Sequence, residues 1–238
     1  MQSSRWHAHG NLYLVVEGDS RGVDLSGTDG AIEILGVDGD DVEAAIVNPD
    51  GSRAEMSGNG TRIAAAWVMA RTGSRVARIH VGPRVVDVRQ TEDGLYESDL
   101  GAVEVGERET VGGIELTTVS VGNPHAVVVG DPDEIGRIGP LLETHPRFPE
   151  RTNVQVVHVD RPGEVTARVW ERGVGETTAS GSSAVAVAAA THRAGEVLVH
   201  FPGGDLRVRL SHGRATLTGP AEPVTDPPEN RHEPADPS

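Results

Sequence analysis

The chain contains no cysteine and no lysine. Without cysteine there is no disulfide, thiolate zinc site, iron–sulfur cluster or thiol nucleophile. Without lysine a pyridoxal phosphate enzyme has no Schiff-base partner, and a P-loop has no phosphate-binding amine. All 21 basic residues are arginine, against 36 acidic ones, and the formal net charge is −15. Nucleic-acid binding needs a basic face, so that class is excluded. An anionic membrane surface is disfavoured for the same reason. No apolar run approaches the ~20 residues that cross a bilayer. The opening Met1-Gln2-Ser3-Ser4-Arg5-Trp6 lacks the apolar core of a signal peptide. A soluble, cytoplasmic protein is expected. With 238 residues, 37% of them hydrophobic, the chain can bury one large core or two small ones.

Two segments read as buried helices, 57–72 and 180–194. Ile63-Ala64-Ala65-Ala66-Trp67-Val68-Met69-Ala70 and Ala184-Val185-Ala186-Val187-Ala188-Ala189-Ala190 have no polar face. A helix apolar all round is one wrapped on every side. Gly73 and Gly195 stand where C-terminal caps belong. Each helix starts with Ser-Gly, at Ser57-Gly58 and Ser180-Gly181. Three strand-like runs follow each: 76–81, 85–89 and 95–100, then 197–201, 206–210 and 215–218. A strand also precedes each, at 44–47 and 165–170.

This pattern is an internal repeat. The Ser-Gly pairs are offset by 123 residues, and Gly10-Asn11-Leu12-Tyr13 is echoed by Gly122-Asn123-Pro124-His125 at an offset of 112. The expected architecture is α/β (α+β), with two pseudo-symmetric domains, each a curved mixed sheet around a central buried helix. The halves are expected at 1–112 and 113–224. The proline-rich, acidic segment 225–238 is expected to be a disordered tail.

The cleft between two such halves is the natural ligand site. Gly58-Asn59-Gly60 and Gly181-Ser182-Ser183 open backbone N–H groups at helix starts, which bind carboxylate or phosphate. The plain alternative for each is a serine N-cap. Asn48-Pro49-Asp50-Gly51-Ser52 reads as a turn. Asn123-Pro124-His125 is a polar step inside an apolar run, and Glu171-Arg172 joins a strand to the second helix. His7 and His9 lack a third ligand, so no metal is expected. Gly173-x-Gly175 lacks the context of a dinucleotide fingerprint.

Four motifs in order resemble the diaminopimelate epimerase family: Met56-Ser57-Gly58-Asn59-Gly60-Thr61-Arg62, Val121-Gly122-Asn123-Pro124-His125, His145 through Asn153, and Trp170 through Gly181. The likeness runs from about His7 to Glu222. It implies a cofactor-free reaction on diaminopimelate, in which one cysteine removes the α-proton and another returns it on the opposite face. Ser57 and Ser180 stand at those two positions. Carried over by motif, Asn11, Asn48, Asn123, Asn153, Glu171 and Arg172 hold the amino acid. The backbone around Gly58, Asn59, Gly181 and Ser182 holds its carboxylate. His125 and Glu171 lie beside the reacting pair. The implied partner is a diaminopimelate-like small molecule, with no nucleic acid or membrane, and a homodimer is left open.

Three departures stand out. Both cysteines are serine. The family's Gly-Asn-Asp-Phe reads Gly10-Asn11-Leu12-Tyr13 here, and residues 17–28 are shortened as if a helix that walls the site were absent. A thiol ionises near 8.5 and an alcohol near water's value, roughly 15.7. The gap of about 7 units is ~10 kcal/mol for making the base, at ~1.36 kcal/mol per unit. Serine therefore needs a neighbouring base, and His125 and Glu171 are the candidates. A binding paralogue that has lost the chemistry is the first alternative. Another isomerase on this fold, using Glu171 or Glu55 as a carboxylate base, is the second.

Overall fold

The computed structural model describes residues 3–53 and 57–224. The expected tail at 225–238 and the candidate Glu55 lie outside the described residues. Seventeen strands enclose two long helices. The first half comprises β1 (Ser3–Ala8), β2 (Asn11–Glu17), β3 (Gly30–Asp38), β4 (Asp41–Val47), helix α1 (Gly58–Thr72), β5 (Val76–Val81), β6 (Arg84–Gln90), β7 (Tyr96–Ala102) and β8 (Glu104–Val111). The second comprises β9 (Ile114–Ser120), β10 (Pro124–Val129), α2 (Ile135–Glu143), β11 (Asn153–Arg161), β12 (Glu164–Glu171), β13 (Gly175–Thr177), α3 (Gly181–Thr191), β14 (Gly195–Phe201), β15 (Gly204–Ser211), β16 (Arg214–Gly219) and β17 (Glu222–Pro223).

The halves share one pairing order. From β1 to β7 each strand bonds the next, parallel at β2–β3 and β4–β5 and antiparallel elsewhere. The series β9, β10, β11, β12, β14, β15, β16 repeats it, parallel at β10–β11 and β12–β14. β7 and β16 pair antiparallel and join the halves. The last strand of each half crosses over: β8 bonds β9, and β17 bonds β1. Gly112 and Gly113 form the turn of the β8–β9 hairpin, so the division expected at Gly112 cuts a hairpin.

Strand alternation supplies the inner wall. In β15, Leu206, Val208 and Leu210 point inward while Arg207 and Arg209 face water. The alanine-rich helices fill the cores of the two halves. Every α1 residue from Gly58 to Met69 is buried, as are Gly181 and residues 183–189 of α3. One apolar cluster runs through both halves, and a smaller one lies under α2. Gly73 caps α1 at φ 75°, its N–H bonding the Met69 carbonyl. The second expected cap differs. α3 stops at Thr191, with His192 extended and its Nε2 accepting the Gly163 N–H. That anchor draws the chain off the helix axis early, and Gly195 instead opens β14. Among the described residues no helix is long and apolar enough to cross a membrane.

Candidate active site

The starts of α1 and α3 meet head to head. A Cβ built on Gly181 would lie 3.2 Å from the Gly58 Cα and 2.7 Å from Leu217 Cδ2. Only glycine at both positions allows so close an approach, which places two sets of free helix N–H groups side by side. Asn59 is buried there and donates to Asn11 Oδ1, while its own Oδ1 accepts from Arg62. Asn123 reaches Ser182 at 3.5 Å. The structure therefore brings together Ser57, Gly58, Asn59, Asn11, Ser180, Gly181, Ser182 and Asn123 from four separate motifs.

The two serines have equivalent backbones and different employment. Ser57 (φ −141°, ψ 117°) caps α1, its Oγ accepting the Gly60 N–H at 3.0 Å. Ser180 (φ −145°, ψ 129°) makes no cap bond; its hydroxyl interacts instead with Glu171. Burial raises the Glu171 pKa, opposed by Thr177 and Ser180, with the Asp29 charge adding to the rise. Thr177 Oγ1 donates to Glu171 at 2.5 Å. Ser57 has a partner that the motifs did not single out as functional. The Tyr13 hydroxyl interacts with it, and burial pushes this phenol up to about 12. The charges of Glu171 and Asp29 also reach Tyr13, so both pairs share one electrostatic neighbourhood. The signal in the sequence was the tyrosine standing where the family has phenylalanine.

His125, expected as a base, has another task. It is 1% exposed, with Nε2 at 3.0 Å from Asn123 Oδ1 and Nδ1 at 3.0 Å from the Gln155 amide nitrogen. Gln155 also donates to Ser183 Oγ. Burial, aided by Arg172, lowers the ring to about 3 against the opposing Gln155 bond. A neutral imidazole with both nitrogens engaged positions Asn123 rather than taking a proton. Asn153 is likewise occupied, donating to the Pro124 carbonyl at 2.9 Å and accepting the Arg172 N–H at 3.0 Å. Asn48 donates to Ser52 within its own turn. Arg172 Nη1 reaches the Glu150 carbonyl at 3.4 Å. In the first half an open depression of about 910 Å³ lies among residues 19–26, Glu33, the 49–51 turn and Arg53, on the shortened segment.

A family model described as diaminopimelate epimerase matches residues 117–224. The chain is 38% identical over 229 aligned residues to the diaminopimelate epimerase of Pelotomaculum thermopropionicum, covering 83% of this chain and 82% of that protein. It is 35% identical to that of Desulforudis audaxviator, covering 95% and 98%. The chain belongs to the diaminopimelate epimerase family. Its fold is also that of a predicted epimerase from Pseudomonas aeruginosa, with a TM-score of 0.72 at 20% identity over 94% of this chain and 96% of the other. Membership makes it one of the isomerases. The two hydroxyls stand at adjoining helix starts with unlike partners.

Proposed function

We propose that the protein interconverts LL- and meso-diaminopimelate by cofactor-independent α-proton transfer, slowly because serine replaces both thiols. The observation that supports this is the presence of two hydroxyls at the joined helix starts, one beside a carboxyl group and the other beside a phenol. Glu171 is the base and Tyr13 the acid. As Ser180 Oγ takes the α-proton, the Ser180 proton passes to the Glu171 carboxylate. Ser57 gives its proton to the other face of Cα and recovers one from the Tyr13 hydroxyl. Glu171 ends protonated and Tyr13 ends as phenolate, and exchange with solvent resets both. The helix N–H groups hold the carboxylate. Asn11, Asn48, Asn123, Asn153 and Arg172 shape the rest of the amino-acid site, the last four after exchanging bonds they now make within the protein.

The Ser57 cap bond favours a second reading, a diaminopimelate-binding paralogue that no longer turns its ligand over, because a capping oxygen is less free to exchange protons. One experiment separates the two. The protein is incubated with LL- or meso-diaminopimelate in D2O, and the α-hydrogen is followed by NMR, with Ser180→Ala as control. Exchange that vanishes in the control supports the epimerase. Saturable binding without exchange in the wild type supports the binder. We place the enzyme in the cytoplasm with its soluble substrate, and light scattering would test for a homodimer.

A further inference from the structure

Arg62 lies in the second turn of α1, directly beneath the junction of the two helices. It is 0% exposed, the largest fully buried side chain among the described residues. Nη1 donates to the Gly58 carbonyl at 3.1 Å, Nη2 to Asn59 Oδ1, and Nε reaches the Pro220 carbonyl at 3.5 Å. Side chains built on Gly181 or Gly219 would come within 3.4 Å of the guanidinium. Every one of these acceptors is neutral. Among the described residues none of its hydrogen bonds goes to a carboxylate, and burial is the one cause of its pKa shift. Burial pulls its pKa down to about 10, which leaves it charged at neutral pH. Its field reaches His9 and helps to lower that ring, after burial.

A buried cation without a counter-ion is costly, and native proteins pair such charges. We propose that Arg62 is a positioning residue whose counter-ion is the substrate's reacting carboxylate, lodged at the helix starts above it. The inference rests on the epimerase reading for the identity of that carboxylate. Removing the α-proton drives negative charge from Cα onto the carboxylate oxygens, so a fixed positive charge beneath them favours the deprotonated state more than the ground state. Arg62 also fixes the Asn59 amide, which in turn holds Asn11, so one guanidinium orients two amides on the α1 side of the junction.

The test uses the full chain with Arg62→Met and Arg62→Lys. Malonate serves as a plain carboxylate probe in thermal shift, and meso-diaminopimelate is used for calorimetry and exchange in D2O. Arg62→Met should fold, bind both anions about 10–100-fold more weakly and lose about 100–1,000-fold in exchange rate. Arg62→Lys should recover part of each, which a purely structural role would not require. In wild type, the Arg62 Nε–H resonance should shift as malonate or diaminopimelate saturates. A folded Arg62→Met that binds both within twofold of wild type overturns the inference. So does an Arg62 resonance that neither anion moves, a result available even where the methionine variant does not fold. Wild type that binds carboxylates through Arg62 yet exchanges no α-proton sinks the epimerase reading alone.

Discussion

The two halves have one strand order and one central helix each, but they finish their outer faces in opposite ways. In the second half α2 lays Ile135, Ile138 and Leu142 over Ala126, Val128, Val154 and Val156. In the first half the corresponding connection is a loop, and the position of Val156 is taken by Glu33, since both lie three residues beyond the matched pairs Tyr13–Gly30 and His125–Asn153. Glu33 is 3% exposed and accepts from both the backbone and the hydroxyl of Ser20 at 2.7 Å, with Arg53 at 3.1 Å. A buried polar staple thus replaces a hydrophobic layer. The inner wall, which cups the helix, tolerates neither liberty. The outer layer then reaches the chemistry. Glu143, at the end of α2, accepts from Trp170 Nε1 and from the Gly173 N–H, both at 2.8 Å, and so brackets Glu171. Asn48, the matching position of the first half, is instead held by Ser52 within its own turn.

The comparison is most sharply tested at the two serines. Glu171→Gln should lower the α-proton exchange rate by about 100–10,000-fold, the range for a positioned acid–base group. Tyr13→Phe should cost less, about tenfold, because an acid above pH 10 is more readily replaced by water. Equal losses would break the proposed division of labour. The pH profile adds a sign. Glu171 must be ionised to act and its pKa is raised, so exchange should rise with pH through a midpoint above the ordinary carboxylate value of 4.5.

The outer faces come next. Leu142→Ala should destabilise by about 2–5 kcal/mol in denaturant unfolding, as for a buried leucine elsewhere. Val23→Ala in the facing loop should stay within about 0.5 kcal/mol. Glu33→Ala should fall between, about 1–3 kcal/mol, because it strands the buried Ser20 donors. A Glu33→Ala cost equal to that of Leu142→Ala would mean the staple is as strong as the helix layer. The last effect concerns His125 and shows only in acid. Its folded value of about 3 lies below 6.5, so the folded state binds fewer protons. Its contribution to stability is complete above pH 6.5 and is lost as pH falls toward 3. The pH dependence of the unfolding midpoint should flatten in His125→Gln, and the ring should not titrate by NMR between pH 5 and 8.

Much of this was legible in the sequence because it rests on local pattern. The repeat, the two apolar helices and the strands around them follow from periodicity, and the Ser-Gly pairs marked where the helices meet. What was not legible depended on distant partners. His125 looked available until Gln155, thirty residues on, took its second nitrogen. Asn153 reads as a ligand residue in its motif, yet both ends of its amide are used to hold Pro124 and Arg172. Ser57 and Ser180 are alike in sequence and differ in what they meet: Ser57 caps its helix and faces a phenol, while Ser180 makes no cap bond and faces a carboxylate. α3 ends at Thr191, and the next residue, His192, is tied by its ring to the backbone N–H of Gly163, 29 residues back.

The crossed edge strands have a consequence for how the chain comes together. β17 seals the open side of β1, with Val224 N–H on the Arg5 carbonyl, and β8 seals the open side of β9. Neither half is complete alone, since each borrows an edge strand from the other, and the first half leaves the ribosome before its borrowed strand is made. The first half must stand with an unsatisfied edge until β17 has been made, and that edge is a template for any passing strand. Closure joins Trp6 to Pro223, which places assembly among slow, non-local topologies. The two halves therefore arrive at the native state as a single cooperative unit, and a chain cut between them would leave each without the strand that covers its edge.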